Sequence, residues 1–431
     1  MDLTKSKEFI ETGILATPKK PYDWVVRRIS HLCVVGRGRV ISNEDIAQNP
    51  GIYPVYSSQT ENNGELGKIA TYDFEGDYLT WTTDGANAGT VFRRSGLFSC
   101  TNVCGTLKIK NNLEVDIDFL NYALSVQTKF FVRKDINPKL MNDVMAGIKV
   151  ILPSIKLQKT LANYLDHETA KIDTLISAKE RLLDLLTEKR QSLITNVITC
   201  GLNPDVPMRD SGVEWIGHIP KHWNIKRIKF LIHGIDTGFS PQCYNFPAQE
   251  GEWGVLKTGC VNGGIFNPQE NKTLPPEIEI PLEIEVKKDD ILMSRASGST
   301  DLIGSVALVE NQPNERLLLS DKIFRLRLNT EISDANFFVI TMGSLIIRQQ
   351  ILQFVSGAEG LANNITQSDI RELLIPIPPI EEQIKMVSFI KEKISTIDTL
   401  SQVALKTINY LQERRTALIT AAVTGQVKVT A

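Results

Sequence analysis

"LPSIKLQKTLANYLDHETAKIDTLISAKERLLDLLTEKRQSLITNVIT", residues 152–199, lies without a gap over "IPPIEEQIKMVSFIKEKISTIDTLSQVALKTINYLQERRTALITAAVT", residues 377–424, at an offset of 225. From Pro153 and Pro378 onward, 14 of 47 aligned positions are identical, among them Pro-x-Ile-x-x-Gln, Ile-Asp-Thr-Leu, Leu-x-Glu-x-Arg and Leu-Ile-Thr. A second pair, "PYDWVVRRISHLCVVGRG" (21–38) and "PKHWNIKRIKFLIHGIDTG" (220–238), aligns at an offset of 199. The chain reads as variable block, helix, variable block, helix.

The helical stretches carry an apolar seam at alternating steps of four and three. In the first copy it runs through Leu165, Ile172, Ile176, Leu183, Leu186, Leu193 and Val197, and in the second through Ile390, Ile394, Ile397, Ile408, Leu411, Leu418 and Ala422. No Pro or Gly interrupts either run, so each is expected to form a rod of about 40 helical residues, roughly 60 Å long. Such a stripe needs a partner, and the other copy has the same phase. Antiparallel pairing would place the two variable blocks at opposite ends of the rods, and parallel pairing would place them side by side. Arg190 and Arg415 occupy matching seam positions, each with Glu two residues earlier. They either reach out to solvent along their alkyl stems or fix register and orientation.

The blocks at about 20–150 and 220–375 read differently. Short apolar runs such as "SVALV", "KIFRLRL", "VCGTLKI" and "DYLTWTT" are separated by Gly, Asn and Asp turns, the pattern of short strands joined by loops. "NYALSVQTKFFVRK" and "NFFVITMGSLIIRQQILQFV" read as helices packed on those sheets. The expected fold class is α+β with a pseudo-twofold internal repeat: a first recognition-type block over 1–150, a helix over 151–201, a linker and second block over 202–375, and a second helix and tail over 376–431.

A chain of 431 residues with 48 Lys and Arg against 50 Asp and Glu is near neutrality, so overall charge does not hold it to nucleic acid. Local charge is uneven. Between Lys19 and Arg39 six cations (Lys19, Lys20, Arg27, Arg28, Arg37, Arg39) face only Asp23, and between 221 and 229 Lys221, Lys226, Arg227 and Lys229 face no acid. Basic starts on both blocks suit contact with a phosphate backbone at two places, or are solvated surface charge repeated by common descent. The six cysteines form no regular framework and are read as reduced thiols. No apolar run reaches the roughly 18 residues that span a bilayer, and "MDLTKSKEFIETG" is too polar for a signal peptide. The expectation is a cytoplasmic protein with no membrane partner.

Catalytic patterns are sparse. The chain has neither a phosphate loop of the G-x-x-x-x-G-K-[ST] type nor the glycine loop and polar-Pro-Pro-aromatic cradle of an amino-methylating enzyme, because branched Ile residues flank the prolines of "IPPIEE". No cofactor and no metal are expected; Glu285-x-Lys287 reads as charged turn residues, and His218-x-x-x-His222 flanks Gly and Pro instead of sharing a helix face. The stretch "YLTWTTDGANAGTVF" (78–92) gathers short donors and acceptors, Thr80, Thr82, Thr83 and Asn87, around Trp81, but Asp84 is its one titratable carboxylate and has no evident partner. These groups could read base edges or phosphates, or shape a turn. The second block offers Ser294, Arg295 and Ser297 in "ILMSRASGSTDLIGSVAL" and Lys322 in "SDKIFRLRL" for the same roles.

The block containing "YPVYSSQTENNGELGKIATYDFEGDYLTWTTDGANAGTVF", the duplicated helices, the second block's opening "PKHWNIKRIKFL", and the "SRASGS…IG" and "SDKIFRLRL" stretches together resemble the specificity subunits of Type I restriction-modification systems, over nearly the whole chain. The resemblance implies a non-catalytic reader of double-stranded DNA, with two target recognition domains, one for each half of a bipartite asymmetric site. It implies that the two long helices form an antiparallel coiled coil fixing the gap. It also implies docking of two modification subunits, which carry S-adenosylmethionine and methylate adenine, and of restriction subunits that hydrolyse ATP. A coiled-coil assembly adaptor and a self-contained nuclease or methyltransferase are the competing readings.

Overall fold

The computed structural model describes residues 8–14, 17–134, 137–355 and 363–427. The two seam-bearing stretches are single helices, Ile155–Cys200 and Ile380–Val423. Each begins just after proline, which cannot extend a helix backwards, and ends near a glycine in the left-handed region, Gly201 (φ +75°) and Gly425 (φ +77°).

The chain divides into two compact units. The first comprises residues 1–180 and 405–431, the second residues 181–404, so each contains one variable block and part of both helices.

In the first unit a four-stranded antiparallel sheet has the order Cys33–Arg37, Cys104–Ile109, Tyr78–Thr82, Val91–Arg94. A second sheet, ordered Glu65–Ile69, Pro50–Tyr56, Leu97–Cys100, Phe74–Glu75, contains one parallel pair, with Ser99 opposite Val55. Strand Val25–Arg28 pairs antiparallel with Lys149–Leu152 and ties the start of the block to its end. Helix Ile117–Gln127, N-capped by Asp116, contributes Phe119, Leu120 and Leu124 to a core shared with Leu79, Trp81 and Leu107 and with Leu161, Leu165, Ile419 and Val423 of the two long helices.

The second unit repeats this plan. Its four-stranded antiparallel sheet runs Ile232–Thr237, Ile323–Leu328, Ile291–Ser294, Val306–Leu308. A three-stranded sheet runs Asn271–Thr273, Trp253–Leu256, Arg316–Leu318, again with a parallel pair, Gly254 opposite Leu317. Strand Asn224–Arg227 pairs with Leu374–Ile377, as Val25–Arg28 does with Lys149–Leu152. Trp223 is buried beside Gly201, where an added Cβ would lie 3.1 Å from the indole; in the first unit a Cβ at Gly425 would lie 2.5 Å from Pro21 and 3.2 Å from Trp24. The block start therefore packs on the end of a long helix in both units, which accounts for the recurring Pro-x-x-Trp.

The long helices run antiparallel in each unit. Asp173 meets Arg415 in the first and Arg190 meets Asp398 in the second, so 17 residues forward on one helix match 17 back on the other. The expected seam residues Ile172, Leu186, Ile397 and Ile408 are buried, and Ile176, Leu183, Leu193, Ile394, Leu411 and Leu418 are half-buried. Full burial of each such side chain contributes about 1.5–3 kcal/mol. Among the described residues no single helix is long and apolar enough to cross a membrane.

Candidate nucleic-acid interface

The two stretches singled out in the sequence occupy the same place in their units. Thr82 N–H donates to Thr90 O and Gly89 N–H to Thr82 O; likewise Ser294 N–H donates to Ser305 O and Gly304 N–H to Ser294 O. Thr83 N–H donates to Val103 O and accepts Leu140 N–H on its carbonyl; Arg295 N–H donates to Lys322 O and accepts Ile365 N–H. Thr82, Thr83, Gly89 and Thr90 thus match Ser294, Arg295, Gly304 and Ser305 bond for bond. Gly89 (φ +84°) and Gly304 (φ +74°) both hold the left-handed conformation that returns the chain to the sheet.

What the shared frame carries is different in length and chemistry. Between the matched positions lie five residues in the first unit, Asp84–Ala88, and eight in the second, Ala296–Ile303. Ala86 is exposed and Asn87 half-exposed, with its amide donating to Ser58 O at 3.4 Å. In the second loop Gly298, Ser299, Thr300 and Asp301 are exposed and Ser297 is half-exposed. Arg348 holds the far end of that loop through the carbonyls of Ile303 and Thr300.

Burial corrects part of the site expected from sequence. Thr80, Trp81, Thr82, Thr83 and Ser294 are at most 1% exposed and present no surface to a base edge or a phosphate. Thr80 accepts a hydrogen bond from Arg94 Nε at 3.2 Å, and Trp81 Nε1 donates to Leu140 O at 2.9 Å. The indole lies where a Cβ at Gly105 would come within 2.2 Å, so small residue and large ring are fitted to each other. The alternating pattern of "YLTWTT" signals a strand; its polar members point inward because the sheet is covered on both faces. These residues build the frame beneath the loop.

The basic starts are also more engaged than their charge count implies. Arg27 pairs with Glu114 (3.1 Å), Arg39 with Asp73 (2.9 Å), and Arg37 Nε donates to Asn102 O. Arg227 and Lys229 share Glu372, at 2.9 and 2.7 Å. Arg28 is exposed and Lys226 half-exposed on the edge-forming strands. Arg295 is half-exposed, its Nη1 reaching Asp321 O and its guanidinium 5.7 Å from the Phe324 ring, while Lys322 pairs with Asp321 at 2.7 Å.

A basic group that sequence reading passes over lies beside the first loop. Lys139 pairs with Asp84 (3.7 Å), Gly85 N–H donates to Pro138 O, and Arg133 bridges to Lys139 through backbone bonds. Lys129, Arg133, Lys134 and Lys139 are all exposed. The signal is present in "KFFVRK", whose apolar pattern reads as helical; the helix stops at Gln127 and a short turn ends at Phe130. Lys129 also lines a cleft of about 390 Å³ with Asn87, Thr90 and, from the second long helix, Arg415 and Thr416.

Of the groups considered for chemistry, Glu285 pairs with Lys287 at 3.7 Å and His222 Nε2 lies 2.8 Å from Glu382 Oε1, whose other oxygen accepts from Trp223 Nε1. These are structural contacts. The cysteines are free thiols; burial pushes Cys33 up to about 12 and Cys104 up to about 11. Among the described residues no three His, Cys, Asp or Glu side chains are grouped to hold a metal ion.

The model of the Type I restriction modification DNA specificity domain matches residues 21–183 and 263–409. The type I specificity subunit S.MpnORF289P N-terminus of Mycoplasma pneumoniae is 50% identical over 140 residues, 32% of this chain and 74% of that protein. The MpnII specificity subunit of the same organism is 42% identical over 139 residues, 32% of this chain and 42% of that one. The EcoEI specificity subunit of Escherichia coli is 33% identical over 183 residues, 42% of this chain and 30% of that one. The matched segments thus span about three quarters of the first relative and less than half of the other two. A solved chain described under "complex assembly and conformational transition of the type I R-M system" superimposes with a TM-score of 0.68 at 14% identity, covering 95% of this chain and 99% of that one, a likeness of fold.

Proposed function

We propose, on the premise that the chain belongs to the Type I restriction modification DNA specificity family, that it is the sequence-reading subunit of a Type I restriction-modification complex. Each unit would hold one half of a bipartite, asymmetric DNA site, and partner subunits would carry out adenine methylation or ATP-dependent restriction. The observation that carries this reading is the matched frame with unmatched loops. An identical backbone frame presenting five residues in one unit and eight in the other is what two different half-sites require. A pure assembly adaptor has no use for that difference. The DNA-contacting groups are then Asn87 for bases and the cations Lys129, Arg133, Lys134 and Lys139 for phosphates in the first unit, and Ser297, Arg295 and the exposed 298–301 segment in the second.

Partner docking has support on the long helices. Leu175 and Leu400, the last residues of the two Ile-Asp-Thr-Leu motifs, are 50% and 49% exposed, and Leu185 and Tyr410, again 225 apart, are 45% and 57% exposed. Repeated apolar residues on the outward face suit two copies of one partner, the modification subunit. Reconstitution tests the reading. The purified chain alone is expected to show neither methylation nor cleavage, and its addition to modification subunits should direct methyl transfer to adenines in one bipartite sequence. Methyl transfer or cleavage by the chain alone overturns it.

A further inference from the structure

The shared Pro-x-Ile-x-x-Gln motif ends in a residue that neither loop chemistry nor the helical seam accounts for. Gln158 and Gln383 are each 0% exposed in the first turn of a long helix. Gln158 Nε2 donates to Pro153 O (2.9 Å) and Glu114 O (3.1 Å), and its Oε1 accepts from Asp116 N–H (2.9 Å). Gln383 Nε2 donates to Pro378 O (2.8 Å) and Ile332 O (3.1 Å), and its Oε1 accepts from Asp334 N–H (2.9 Å). Asp116 and Asp334 are themselves the N-caps of the block helices, accepting from Phe119 N–H and Phe337 N–H. The blocks share little sequence, yet both are fastened at the same cap by the same two bonds, while the third holds the proline before the long helix.

An amide with both donor hydrogens and its acceptor engaged is a directional restraint, unlike the apolar contacts around it. The ladder Val25–Arg28 with Lys149–Leu152 closes the block on itself, and the link from Leu152 to the helix start at Ile155 is only Pro153 and Ser154. The glutamine ties the block's helix cap to the first turn of the rod. A block of about 140 residues has a radius of gyration of about 15 Å, so its far side stands about 35 Å from this joint. One base-pair step is about 3.4 Å. A rotation of about 6° at the joint therefore moves the reading surface by about the rise of one base-pair step.

We propose that Gln158 and Gln383 are positioning residues that set the angle of each recognition block on its helix, and with it the number of base pairs allowed between the two half-sites. The proposal rests on the function inferred above. The full chain is expressed with its modification subunits and methylated adenines are mapped by sequencing genomic DNA. Gln158→Leu should raise methylation at sites whose gap differs by one base pair at least about tenfold over wild type, with both half-site sequences unchanged. Leu161→Ala, a buried change nearby on the same helix that leaves the cap bonds alone, should only lower methylation at the original gap. If Gln158→Leu behaves like Leu161→Ala, the proposal is overturned. Should Gln158→Leu fail to accumulate, Gln158→Glu, which keeps the acceptor for Asp116 N–H and alters the donors, is read by the same two outcomes. A wild-type chain that yields no bipartite methylation removes the function itself and the positioning role with it, whereas bipartite methylation at one unchanged gap in the variants removes only the latter.

Discussion

Arg415 Nε lies 2.8 Å from Asp173 Oδ1, and the pair has a counterpart in which Arg190 meets Asp398, every residue displaced by 225 and the roles of the two helices exchanged. The Asp belongs to the Ile-Asp-Thr-Leu motif and the Arg to the Leu-x-Glu-x-Arg motif, so each motif in one helix answers the other motif in its partner. Both arginines thus bond across the helix pair, as a register role requires. The Arg415 and Asp173 side chains are 39% and 51% exposed, so screening keeps the pair near about 0.5 kcal/mol. Charge reversal at Arg415 to Glu should cost stability modestly in a thermal melt, and Asp173→Arg in the same chain should restore most of it; a double-mutant cycle with no coupling would remove the register role.

Thr82→Val and Thr83→Val separate a scaffold from a reader. Both hydroxyls are buried and, among the described residues, have no hydrogen-bond partner, so a methyl in their place should leave stability unchanged or raise it. Methylated sequence should also be unchanged, and loss of recognition with intact folding would return these residues to the interface.

Trp81→Ala should destabilise the first unit by about 3–5 kcal/mol, because it empties the core beneath the loop and orphans Leu140 O. Denaturant unfolding measures it, and Gly105→Ala should move in the same direction because the indole already occupies that space.

Removing Lys129, Arg133 and Lys139 together should weaken DNA binding across all sequences, and lower the slope of log affinity against log salt by about 0.9 for each phosphate no longer neutralised. Binding titrations at several salt concentrations check this; an unchanged slope would place the cluster away from DNA.

Acid should loosen the second unit through Asp236. Burial opposes its ionisation, but hydrogen bonds and charge from Arg327 and Arg325 prevail and hold the carboxyl below the usual carboxylate range. A depressed folded pKa means that the stabilisation is complete above the unfolded value, about 3.9, and is lost as pH falls through the folded one. Melting temperature should drop below about pH 4, and Asp236→Asn should flatten that acid limb while lowering stability at neutral pH.

The long helices are legible in the sequence because an apolar seam at alternating steps of four and three, repeated over a dozen turns, leaves few alternatives, and because duplication supplies an internal control. The partner of Arg190 is not, since Asp398 lies 208 residues away and becomes a neighbour only when the helices run antiparallel. The equivalence of Thr82–Thr90 with Ser294–Ser305 is hidden for another reason: it resides in backbone hydrogen bonds, which different side chains satisfy equally well. Burial of Thr80 and Thr82 escapes the sequence because polar residues alternating with apolar ones read as the solvent face of a strand, whereas this sheet is covered on both faces. The exposed cations after Gln127 stay hidden because the apolar pattern of their segment continues a helix that the fold ends earlier.

The central claim is that the two units read two independent half-sites through different loops on one frame. Its most direct test replaces residues 84–88 with the sequence of 296–303 between the matched positions Thr83 and Gly89, and maps methylated adenines genome-wide with modification subunits present. One half of the methylated sequence should change while the other half and the gap persist. A change in both halves, or wild-type specificity from a folded and active exchange, would contradict the account.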